Sequence, residues 1–150
     1  MVLDAFLAYL HFAAIFVLFA YLVVELVTIK GEMDEAAVRR IARADIIYFG
    51  AAMAVLATGF LRLAFGAKGP DYYLSWWPIY AKIGTFVLIG MISVIPTLAF
   101  LRWKRAIIGD PAWKVPPAEQ RRMRRIIMIE LHLAALIPVF AVMMSRGLGR

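Results

Sequence analysis

Apolar positions run nearly unbroken from Ala5 to Ile29, where the only ionisable side chains are His11 and Glu25. The same pattern returns from about Ile41 to Phe65, Pro78 to Trp103 and Ile126 to Ser145. Apolar runs of about 20 residues without a polar face do not suit a helix half in water, and at about 1.5 Å per residue each can cross the roughly 30 Å hydrocarbon core of a bilayer. The pattern therefore predicts one domain over residues 1–150, an all-α, integral membrane, antiparallel four-helix bundle embedded in lipid. The connection from Lys30 to Arg40 places Asp34 and Glu35 where a helix start favours acids. Gly66 to Trp77 is broken by glycine and proline and ends in clustered aromatics, as an interfacial loop would be. Lys104 to Arg125 reads as the longest connection. In the third span Pro96 cannot donate to the carbonyl of Ile92, which predicts a kink that the hydroxyls of Ser93 and Thr97 help to satisfy.

Charge adds an orientation. Lys30, Arg39, Arg40 and Arg43 flank the first connection and eight further Lys and Arg lie between Arg102 and Arg125, whereas the opposite side holds Arg62, Lys68, Lys82, Arg146 and Arg150. By the positive-inside rule the first group is cytoplasmic and both termini lie outside, in a bacterial inner membrane. The net charge of +7 is thus assigned to membrane topology, and nucleic acid is not expected as a partner. The first span carries Asp4 instead of a basic leader and is longer than a signal-peptide core, so it is expected to be retained. With no cysteine, thiolate metal sites and cysteine nucleophiles are excluded. Gly50, Ala51, Ala52, Ala54, Ala57 and Gly59 form a small-residue surface suited to close helix packing.

Depth sorts the polar residues into two layers. His11 and Glu25 are 14 positions apart, which leaves them roughly 40° apart around one helix and about 21 Å apart along it. Towards the outer face, His11 lies about 10 Å below the start of its span and Arg62 and Lys82 about 6 Å in. An imidazole below two cations can ligate a haem iron while Arg62 and Lys82 meet the propionates, so haem b is the candidate cofactor, with Met143 or Met144 available for the second axial position. His132 sits too deep to match His11. Towards the cytoplasmic face Glu25, Asp45 and Glu130 converge, with Arg43 and Arg125 expected as their partners. That polar cluster reads either as ion pairs fixing helix register or as a proton or cation site. The largely apolar middle argues against a channel.

The segments Leu7-Ala-Tyr-Leu-His11, Ala42-Arg-Ala-Asp-Ile-Ile-Tyr48, Gly59-Phe-Leu-Arg62, Ala81-Lys82, Ser93-Val-Ile-Pro-Thr97, and Glu130 with Pro138 resemble an uncharacterised family of four-span bacterial membrane proteins, known as a domain of unknown function. The resemblance covers nearly the whole chain and implies the fold without an activity. More distantly, the layout is similar to the bacterial membrane protoporphyrinogen oxidase, a b-type haem protein, and to the copper-resistance D proteins. His11, and Trp76-Trp77 followed by Lys82, echo residues of that oxidase, whereas its fourth-helix Asn-Glu-x-Pro pattern is replaced by Glu130-Leu-His. Three functions are therefore expected to compete: a haem protein for electron transfer or redox sensing, a small transporter using Glu25, Asp45 and Glu130, and an accessory or scaffold subunit. The scaffold reading implies a homo-oligomer or a larger membrane complex.

Overall fold

The computed structural model describes residues 2–66 and 69–148. Lys68 and Arg150, two of the cations counted for orientation, lie outside the described residues. The chain forms α1 (Val2–Thr28), α2 (Glu35–Phe65), a single-turn α3 (Pro70–Leu74), α4 (Trp77–Gly109) and α5 (Pro117–Ser145). α1 packs most extensively on α2, and α4 on α5. α2 also meets α4 and α5 meets α1, while among the described residues the backbones of the diagonal pairs α1/α4 and α2/α5 stay farther apart. The result is an up-down ring of four helices made from two hairpins, with both described ends of the chain on one side. That side is called here the terminal end, and the side of the 29–34 and 110–116 connections the basic end.

Each long helix buries a narrow stripe. In α1 the stripe is Leu7, His11, Leu18, Leu22, Glu25 and Leu26, and in α5 it is Met123, Ile127, Glu130 and Ala134. These spacings of three, four and seven are the knobs-into-holes periodicity of bundles, and His11, Glu25 and Glu130 occupy core positions within it. Leu22, Ile29, Val38, Ile41, Phe100, Trp103 and Ile127 are fully buried and place the densest packing towards the basic end. The outside is apolar: only 17–28% of the residues in each helix's most hydrophobic window are buried, and Phe16, Phe49, Phe60, Met91 and Leu98 face outward. Water would not tolerate that surface, and the helices, of 27 to 33 residues or at least about 40 Å, are long enough for lipid to cover it.

At the basic end the helices outrun the apolar spans. The Asp34 side chain accepts from the Ala37 amide at 2.7 Å and starts α2 at Glu35, a cap that contributes about 1 kcal/mol. Lys104 to Arg125 is not one long connection. α4 continues to Gly109 and α5 begins at Pro117 behind Pro116, leaving only 110–116 between them. Proline suits the first helical position because its missing N–H would be unpaired there in any case. An ion pair between Arg102 and Glu119 joins α4 to α5 over this stretch. Gln120 donates both amide hydrogens across the bundle, to the carbonyls of Ile29 at 2.8 Å and Gly31 at 2.9 Å, and so ties the start of α5 to the end of α1.

The small-residue surface of α2 does not form one packing face. Gly50, Ala54 and Ala57 are exposed, and the buried row is Ala37, Ala44 and Ala51, seven apart. Pro96 is buried inside a continuous α4, and the flanking hydroxyls serve other acceptors: Ser93 donates to Gly90 and Thr97 donates to Asp45.

Candidate functional site

The layer near the terminal end is built on α1, α2 and α4. His11 is 3% exposed, and its Nδ1 lies 2.9 Å from Thr58 Oγ1. The Thr58 hydroxyl lies 2.6 Å from the Ala54 carbonyl and 3.2 Å from the Val55 carbonyl of its own helix. When its proton goes to either of them, the oxygen accepts from Nδ1 and Nε2 is the basic nitrogen of the ring. Gly59, the next residue, packs against the ring: a Cβ there would stand in van der Waals contact, 3.4 Å from His11 Cε1. One turn from Thr58, the Arg62 guanidinium lies over the Phe12 ring at 5.8 Å, and its Nε is buried with no hydrogen-bond acceptor. Lys82 of α4 is half-buried, and both cations are close enough to act electrostatically on His11 and on each other. Among the described residues neither forms an ion pair.

The second layer lies deeper towards the basic end. Glu25 of α1 and Glu130 of α5 are each 1% exposed and Asp45 of α2 is 4% exposed. Asp45 Oδ1 accepts from the Thr97 hydroxyl of α4 at 2.8 Å, so all four long helices contribute to the layer. Glu25 Oε1 and both carboxyl oxygens of Glu130 are buried without a hydrogen-bond partner. Tyr48, one turn beyond Asp45 and 5% exposed, shares the electrostatic surroundings of all three acids, which also act on one another.

The expected basic partners are not there. Arg43 and Arg125 are both exposed, and the ion pairs among the described residues are Arg39 with Glu35 and Arg102 with Glu119. Helix geometry is the reason: two residues subtend about 200°, so a core-facing Asp45 sends Arg43 to the opposite side of α2. No group of three His, Asp or Glu side chains among the described residues is gathered tightly enough to hold a metal ion. His132 is exposed and bonds the Met128 carbonyl of its own helix, away from both layers. Sequence reasoning did not find the roles of Thr58 and Tyr48. The signal was available, since Thr58 sits four residues before Arg62, and Tyr48 three after Asp45, on the same helix faces. Two open grooves lie at the basic end, one of about 500 Å³ beside Arg102 and Glu119 and one of about 320 Å³ beside Asp34 and Trp113, and neither is lined by a residue of either layer.

Fold and polar layers together define an all-α membrane protein with four membrane-crossing helices and an ionisable core. The chain belongs to the DUF2214 family, described as a predicted membrane protein, whose family model matches residues 3–149. No curated protein and no solved structure matches the chain, and the likeness to the protoporphyrinogen oxidase and copper-resistance D groups is not shown.

Proposed function

We propose that this chain is a small inner-membrane transporter whose coupling ion is the proton, bound at Glu25, Asp45 and Glu130. One observation carries the reading: three buried carboxyl groups from three helices share a layer in which, among the described residues, no ion pair forms and three of their oxygens have no hydrogen-bond partner. An uncompensated carboxylate anion in such surroundings costs several kcal/mol, so a layer holding three of them is suited to taking up and releasing positive charge. A proton needs only one carboxyl oxygen at a time. Infrared difference spectra of the purified protein recorded against pH should contain a carboxylic-acid carbonyl band, reduced in Glu25→Gln and again in Glu130→Gln. A band that none of the substitutions at Glu25, Asp45 or Glu130 alters, or no band at all, overturns the reading.

A second reading, b-type haem, is favoured by the Thr58 contact that leaves His11 Nε2 as a basic nitrogen suited to iron, with Arg62 and Lys82 above it for propionates. When bound, the haem would supply one-electron chemistry. The donor chemistry fits. The space does not: the ring is 3% exposed and packed on Gly59, so a macrocycle requires α1 and α2 to part. A Soret band that disappears in His11→Ala would establish it, and protein made with ample haem that lacks the band refutes it.

A further inference from the structure

The layer near the terminal end holds a charge imbalance that the proton reading does not use. Arg62 of α2 sits over the ring of Phe12, the neighbour of His11, one turn beyond the Gly59 that packs on His11, and Lys82 of α4 is close enough to act electrostatically on both His11 and Arg62. Among the described residues neither meets an acid. Asp4, the acid on α1 at this end, approaches Gly66 and forms no ion pair among the described residues. Arg62 is half-buried. Its guanidinium is drawn over the Phe12 ring, and its Nε is enclosed with no acceptor, an orphaned donor in a place where bulk water cannot serve it. Two cations held together in a half-apolar site repel each other, and an anion that accepts their hydrogen bonds relieves that repulsion.

We propose that His11, Arg62 and Lys82 form a binding site for a phosphate-class anion. A tetrahedral phosphate presents several acceptor oxygens at once. It matches a guanidinium donor from α2 and an ammonium from α4, and a protonated phosphate oxygen has the basic Nε2 of His11 as its acceptor. The negative charge of phosphate offsets the two fixed cations, and the depth of the site places it at the boundary between headgroups and acyl chains. The phosphate can come from solution or from the headgroup of an anionic lipid, and the site chemistry is the same for both.

The test uses the full-length protein in detergent and in nanodiscs. Thermal unfolding is followed with inorganic phosphate against chloride at matched ionic strength, and separately in nanodiscs with and without phosphatidic acid. The unaltered protein should be stabilised saturably by one or both. Phosphate alone assigns a soluble anion, and phosphatidic acid alone assigns a lipid headgroup. Arg62→Gln and Lys82→Gln should each weaken the apparent affinity by about tenfold or more, because each removes one charge-assisted hydrogen bond. Arg146→Gln, an exposed cation at the same end, should leave it unchanged. Should Arg62→Gln fail to fold, Arg62→Lys, which keeps the charge and loses the fork, should bind more weakly with the same stoichiometry. The proposal is overturned if neither phosphate source stabilises the protein, or if Arg146→Gln weakens binding as much as Arg62→Gln.

Discussion

At the scale of single residues the structure turns on two threonines. Thr58 holds the ring of His11 through Nδ1, and Thr97 supplies the hydrogen bond that Asp45 receives from a neighbouring helix among the described residues. Removing the hydroxyl in Thr97→Val leaves Asp45 with the same burial and no partner, so thermal stability in detergent should fall by about 1–3 kcal/mol, with Thr97→Ser close to the parent. Equal melting for all three proteins would show that the bond is not maintained. The convergence of Glu25, Asp45 and Glu130 was legible in the sequence because the ends of the apolar runs set the depth of each acid. The identity of their partners was not. Partnership depends on rotation about the helix axis, and in a span apolar on every side hydropathy carries almost no rotational signal, so Arg43 looked as near to Asp45 as Thr97 proved to be.

At the scale of elements, the four helices were readable because lipid solvates each of them individually and leaves a long apolar run as its trace. The basic-end extension of α2 was legible from Asp34 and Glu35, whereas those of α4 and α5 were hidden for the complementary reason. Hydropathy stops where charge begins, yet helix formation continues through residues such as Ala118, Glu119, Gln120, Arg121 and Arg122, all compatible with a helix in water. Only local signals mark the true ends: Asp34 as a cap, and the Pro116-Pro117 pair that starts α5. Gln120 shows what the extension achieves. It stands on a turn of α5 that lies beyond the apolar span, and there it reaches across to carbonyls of the connection that follows α1. The aromatic loop was also expected to lack regular structure, and Pro70–Leu74 folds it into one helical turn.

At the scale of the whole molecule, the asymmetry of Lys and Arg between the two ends predicts that the basic end faces the cytoplasm and both termini the outside. Fusing alkaline phosphatase, active only outside the cytoplasm, after Ser145 should give an active enzyme, and fusing it within the 110–116 connection an inactive one. The reverse pattern would invert the bundle and with it the side from which each polar layer is reached. The pairing of helices has a further consequence for how the protein is made. Ribosomal synthesis delivers α1 and α2 first, and this hairpin enters the bilayer bearing two acids, Glu25 and Asp45, while Thr97 has not yet been added. Until α4 and α5 arrive, a nascent chain of some 65 residues presents carboxyl groups on the face that will later be sealed. A message truncated after α2 would therefore yield not a half-sized bundle but an orphan hairpin with its polar face open to lipid. To the membrane's quality-control proteases, that exposed face would distinguish an unfinished molecule from a finished one.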